Sequence, residues 1–342
     1  MDRRDLIKSL AALPFLGSFA NAAHTTRASK LLRPKRLKAG QTVALISPSS
    51  GLTTDQINKA IDNMNSLGLK PHLGKYADRL NGFLAGTDAE RVADIHWAFT
   101  DNSIDAVWCL RGGYGLSRIL PRIDFAKIKG NPKPFIGYSD ITALHVAIHQ
   151  RTGLVTFHGP VATSTLSDYT KDHVVKTLFN GTAPDRVAIS PDNAANTNLL
   201  YKTQVITAGT ARGQLIGGNL SLLTAEAGTP FALRNVRGKI VFTEDVGEKP
   251  YRIDRMFVQL KQSVDLRSCA GIALGIFADC DAPEGSPTVI DLIKDQFSGL
   301  GIPVICGLSF GHIRDQFTLP LGVEAEMDTA NATITLLESG VK

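Results

Sequence analysis

Charge is sparse in this chain of 342 residues: only 20% is Asp, Glu, Lys or Arg, and the formal excess of +5 is spread without basic clusters. No Lys/Arg-rich stretch is interleaved with aromatics, so a nucleic-acid groove is not expected. Beyond the first residues there is no run of eighteen apolar residues, which excludes a helical membrane span there. No Cys-x-x-Cys spacing occurs, and the one His-x-x-x-His pair, His145 and His149, comes without a further ligand, removing the obvious zinc sites. The four cysteines, Cys109, Cys269, Cys280 and Cys306, are scattered, three of them in apolar strand-like runs, and read as buried thiols rather than a disulfide framework. No repeat of fixed period exists, so the chain is not a solenoid.

What is present begins with an export pattern. Arg3-Arg4 precede an apolar stretch from Leu10 to Phe19, followed by Ala20-Asn21-Ala22. A charged start, a short apolar region and a small-x-small site describe a signal peptide over residues 1–22, and the paired arginines resemble a twin-arginine signal. The mature chain is then expected to start near Ala23 and work in the periplasm, with no stable membrane insertion after cleavage.

With 43% hydrophobic residues the chain can bury a large core, and its length suits two domains or one large one. From about Leu32, short apolar runs alternate with helical periodicity, the signature of parallel strands covered by helices. Thr42 to Ser47, Asp105 to Leu110 and Pro134 to Tyr138 read as buried strands, each ending in a polar or glycine-bearing turn. Residues 32–180 are therefore expected to form an open, mostly parallel, flavodoxin- or Rossmann-like sheet with flanking helices. Residues 181–205, rich in Asn, Thr, Ala and Pro, read as a linker. Residues 206–342 are expected to form a second α/β domain with a mixed sheet and a short β tail, so the fold class is two-domain α/β.

Three turns could carry chemistry. Gly137-Tyr138-Ser139-Asp140 lies between a strand and a helix, the setting of a nucleophile elbow, although the second glycine of Gly-x-Ser-x-Gly is missing; both Ser139 and Asp140 read equally as helix caps. Arg111-Gly112-Gly113-Tyr114-Gly115 could bring backbone amides to a ligand or simply turn the chain, and it contains neither a dinucleotide nor a phosphate-loop pattern. Glu244 and Asp245 end a strand, where a carboxylate can orient a histidine; the cluster with Glu248, Arg252, Asp254 and Arg255 also reads as solvated ion pairs. His312 occupies another strand-end turn. His145 and His149 share a helix face without an evident third ligand, so no metal is assigned.

Together these residues resemble the LD-carboxypeptidase family, which includes muramoyltetrapeptide carboxypeptidases and microcin-immunity peptidases. The markers run in order: Arg111-Gly112-Gly113-Tyr114-Gly115, Gly137-Tyr138-Ser139-Asp140, Gly217-Gly218-Asn219-Leu220, Glu244-Asp245-Val246-Gly247-Glu248, Tyr251-Arg252-Ile253-Asp254-Arg255 and Gly307-Leu308-Ser309-Phe310-Gly311-His312. The resemblance implies a Ser-His-Glu triad of Ser139, His312 and Glu244, with the amides of Gly113 and Asp140 as oxyanion donors. Arg252 and Tyr114 are then candidate substrate-binding residues. The implied substrate is a peptidoglycan-derived peptide, cut at the L–D bond before a terminal D-alanine, without metal or cofactor. A homodimer stands as an open alternative to a monomer. Export is the departure from the cytoplasmic relatives, and it leaves other short peptide conjugates, or muropeptide binding without catalysis, as alternatives.

Overall fold

A computed structural model describes residues 31–342; the expected signal peptide, residues 1–22, lies outside the described residues. Continuous apolar runs become strands buried on both faces. In the first sheet these are β1 (Thr42–Ile46), β3 (Ala106–Cys109), β4 (Phe135–Gly137) and β5 (Phe157–His158), with the more exposed β2 (Lys70–Leu73) at the edge beside β1; these five strands pair in parallel. Along β1 and β3, Val43, Leu45, Ala106 and Trp108 enter one apolar layer while Ala44, Ile46, Val107 and Cys109 enter the other. That division explains why these strands show no polar alternation. Each buried aliphatic side chain contributes about 1.5–3 kcal/mol, and Trp108 donates its indole N–H to Pro160 O at 2.7 Å, so its burial leaves no polar atom stranded.

The covering helices start where the sequence supplies caps. Helix α1 (Thr54–Ser66) is opened by a Thr53–Gln56 capping box and α2 (Asp88–Thr100) by Thr87–Glu90. On α1 the buried residues are Ile57, Ala60 and Met64, a stripe at helical spacing. Short helices α3 (Leu116–Ile119) and α4 (Phe125–Gly130) precede β4, and α5 (Thr142–Thr152) follows it, ending at Gly153 in the left-handed conformation. Helix α6 (Asp168–Val174) closes the first half.

The stretch 181–205 is not a free linker. It contains β6 (Asp185–Val187) and helix α7 (Pro191–Ala195), and it runs into β7 (Gln204–Thr207); β6 and β7 form opposite edges of the second sheet. These elements are too short to show a hydrophobic period, and their pairing partners are distant in sequence, so local composition read as a linker. Between them lie β8 (Thr210–Asn219), β9 (Ile240–Glu244), β10 (Gly271–Gly275) and β11 (Val304–Leu308), parallel to one another, with helices α8 (Leu220–Ala225), α9 (Pro250–Ser263) and α10 (Val289–Phe297). The alternating tail supplies β12 (Leu319–Pro320), β13 (Glu324–Asp328) and β14 (Thr333–Leu336). β13 and β14 join the second sheet antiparallel, whereas β12 crosses back and pairs with β5, Leu319 opposite His158. The two sheets are thereby tied together, with orders β12-β5-β4-β3-β1-β2 and β6-β14-β13-β8-β9-β10-β11-β7. All four cysteines are buried free thiols.

Candidate active site

The carboxyl ends of parallel strands carry the turns expected to be functional. Past β4, Ser139 has φ 67°, a left-handed conformation rare for a residue with a side chain. The neighbouring strand end makes room for it: a Cβ on Gly112 would lie 2.7 Å from Ser139 Cβ and 3.0 Å from its Oγ. Gly113, at φ 112°, instead lies against Ser50. Neither Ser139 nor Asp140 caps α5 with its side chain, so the capping role open in the sequence is not realised there.

Asp140 does something the sequence reading missed. Its buried carboxylate accepts from Ser49 Oγ at 2.5 Å and from the amide of Leu116 at 2.9 Å, joining the turns after β1, β3 and β4. Burial pushes this carboxyl above its usual range despite those donors. Arg91, also buried, donates to Pro48 O at 2.7 Å and Gly115 O at 2.9 Å and pairs with Asp88. It fastens two of the same turns, and nothing local in its helix sequence signals that role.

From the second sheet, Glu244 ends β9 fully buried. Its Oε2 lies 2.7 Å from Nδ1 of His312, in the turn after β11. Gly311 permits this approach, since a Cβ there would stand 2.7 Å from the same oxygen. Burial alone would raise Glu244, but the neighbouring His312 charge and hydrogen bond outweigh it and hold the carboxyl below its usual range. Burial would likewise lower His312, yet Glu244 overrides it and the imidazole is held above its ordinary value. The two groups favour each other's charged forms.

The halves meet at this point. The ring of Tyr138, next to Ser139 in the chain, packs edge-on against His312 with centroids 4.6 Å apart. The amide of Asn219 donates to Thr142 Oγ1 at 2.9 Å, and Gly218 clears that threonine, whose side chain would be 2.5 Å from a Cβ. Asn219 also donates to Asp245 Oδ1 at 3.0 Å, so the Gly217-Gly218-Asn219 motif spans from the helix after Ser139 to the strand end of Glu244. Asp245 further accepts from the amide and hydroxyl of Ser221, which makes it a structural anchor. No hydrogen bond joins Ser139 Oγ to His312 among the described residues.

The remaining candidates are more peripheral. Arg252 is exposed and ion-paired with Glu248 at 2.6 Å. Tyr114 is half exposed, its ring edge-on to Phe83 at 5.3 Å. His145 Nε2 donates to Gly137 O at 2.8 Å, and His149 Nδ1 approaches Leu154 O at 3.3 Å, so both serve the fold around α5.

Both halves of the chain are similar to known proteins. Residues 43–159 match the LD-carboxypeptidase N-terminal domain and residues 212–327 its C-terminal domain. A probable murein peptide carboxypeptidase of Bacillus subtilis is 40% identical over 311 residues, 90% of this chain and 95% of that protein. The solved muramoyltetrapeptide carboxypeptidase from Oxalobacter formigenes superposes with a TM-score of 0.73 at 32% identity, covering 86% of this chain and 97% of that one. A microcin self immunity protein in complex with aspartyl sulfamoyl adenosine superposes with a TM-score of 0.79 at 27% identity, covering 91% of this chain and 100% of that one. Both halves of the chain, the two-sheet α/β architecture and these relatives agree: the chain belongs to the LD-carboxypeptidase family and is a serine-type carboxypeptidase hydrolase.

Proposed function

We propose that this enzyme releases terminal D-alanine from peptidoglycan tetrapeptide stems by hydrolysing the L–D peptide bond, with Ser139 as nucleophile, His312 as base and Glu244 as its partner. The observation that carries the reading is the 2.7 Å bond from His312 Nδ1 to the buried Glu244, beside a serine held at φ 67°. With Nδ1 committed to Glu244, Nε2 is the nitrogen left to take a proton from Ser139 Oγ. Attack on the scissile carbonyl gives a tetrahedral oxyanion, for which the amides of Gly113 and Asp140 are the proposed donors, worth about 3 kcal/mol each. The His312 imidazolium then protonates the departing D-alanine, and water, activated by the same nitrogen, hydrolyses the acyl-enzyme. Arg252 and Tyr114 are proposed to contact the substrate beyond the reacting bond. The intact serine, histidine and glutamate disfavour a binding protein without catalysis.

The test is incubation of the mature protein with disaccharide-tetrapeptide, reading D-alanine release by mass spectrometry. Release by wild type and none by Ser139→Ala is expected; equal release by both overturns the nucleophile assignment. A second reading, hydrolysis of peptide–nucleotide conjugates, is supported by the likeness to the immunity protein bound to aspartyl sulfamoyl adenosine. Cleavage of that compound in preference to the tetrapeptide would favour it. We also propose periplasmic action, on the strength of Arg3-Arg4, the apolar stretch and Ala20-Asn21-Ala22; residues 1–30 fused to a reporter that works only when exported folded test this.

A further inference from the structure

His158 is an unusual histidine. It is 1% exposed at the end of β5, opposite Gly137 of β4, with the rings of Tyr138, Phe242 and Phe310 around it at centroid distances of 6.1, 5.4 and 6.4 Å. Neither ring nitrogen has a hydrogen-bond partner among the described residues, although buried polar atoms are normally satisfied. The same is true of Glu244 Oε1, whose sister oxygen holds His312. His158 Nε2 and Glu244 Oε1 face one another at 4.0 Å. A ring N–H and a carboxylate oxygen, both orphaned and facing one another, are complementary. A carboxylate gripped at one oxygen can still swing about its last bond. Support at the second oxygen would fix the plane in which the first meets the imidazole.

We propose that His158 is a positioning residue for the triad: as a neutral imidazole carrying its proton on Nε2, it directs that N–H at Glu244 Oε1 and locks the carboxylate toward His312. A neutral donor suits the place, because a second buried imidazolium would compete with His312 for the same anion. The arrangement also links the sheets, since His158 belongs to the first and Glu244 to the second. The inference rests on the triad reading, but its tests separate from it: retention of activity by Ser139→Ala removes the triad and leaves the His158–Glu244 measurement standing.

Nitrogen-15 NMR of histidine-labelled wild-type enzyme reads the tautomer directly. The Nε2–H form at neutral pH is expected; an Nδ1–H form with a bare Nε2 overturns the proposal, and this needs no variant to fold. Among variants, His158→Phe fills the space without a donor and His158→Gln returns an N–H near the position of Nε2. His158→Phe is expected to lower kcat by about ten- to a hundredfold, the scale at which partners behind a reacting side chain are felt, with KM little changed. It should also shift or broaden the downfield proton of His312 Nδ1, and His158→Gln should restore most of both. Unchanged kcat in His158→Phe, or equal impairment of the two variants with an unaltered His312 proton, refutes it.

Discussion

Gly112 faces Ser139 so closely that a Cβ on the glycine would lie 2.7 Å from the serine Cβ. The glycine turn after β3 is therefore cut to the shape of the elbow after β4, and Ser139 keeps its left-handed backbone because its neighbour has no side chain. Gly112→Ala is expected to lower kcat/KM by about a hundredfold, because it displaces the proposed nucleophile while leaving the sheets intact. Steady-state kinetics beside a thermal melt check this; a variant that melts as wild type and keeps full activity contradicts it.

The Glu244–His312 pair sets a pH dependence. His312 can act as base only when neutral, and its imidazole is held above the ordinary value, so wild-type activity should rise with pH through that raised value. Glu244→Gln removes the anion that opposes burial, so the acid limb should move to lower pH. By analogy with loss of the acid in a serine triad, kcat should fall by about 10³- to 10⁴-fold. A pH–rate profile of both proteins decides; an acid limb that stays in place would show that Glu244 does not set the imidazole.

Asp140 should matter to stability through its acceptor oxygen. Asp140→Ala strands the Ser49 hydroxyl and the Leu116 amide in a buried place, at a cost of about 1–3 kcal/mol each. Asp140→Asn keeps an acceptor and relieves a carboxyl that burial already pushes up, so it should unfold in urea at a clearly higher midpoint than the alanine variant. Coincident midpoints would show that the bridge between turns contributes nothing.

Asp94 supplies a pH test of the fold. It is buried under the turn after β2, accepts from the amide of Tyr76 at 3.0 Å, and is pushed up to about 6 by that burial. Between an unfolded value of about 3.9 and this folded value, the folded state holds a proton that the unfolded chain has released. Its stabilising contribution is thus present at low pH and lost as pH rises through about 6. Asp94→Asn does not titrate, so its melting temperature should gain on wild type between pH 4 and pH 7. A constant difference across that range would count against the assignment.

Much of the site could be read locally, for a physical reason. Apolar runs of about four to six residues bounded by turn residues fit strands covered on both faces, and glycine-rich turns at their carboxyl ends mark where backbone must approach something closely. The run from Thr42 and the turns at Gly112, Ser139 and Gly311 were legible in that way. Local patterning failed where partners are remote. The stretch 181–205 looked like a linker because β6 and β7 find their neighbours on β14 and β11. Asp140 looked like a cap or an amide donor, because nothing nearby reveals Ser49 and Leu116.

The sequence by itself determined the buried central strands, the capped helices and the residue types in the strand-end turns, since these follow from burial period and backbone sterics over a few residues. Only the tertiary structure decided which of those residues meet. The pairing of Glu244 with His312, the nearness of Tyr138 to that histidine and the approach of His158 to the carboxylate all depend on β12 crossing back to β5 and Asn219 reaching Thr142. Those contacts join segments far apart in the chain, and their geometry is fixed by packing two sheets together, which no local pattern encodes.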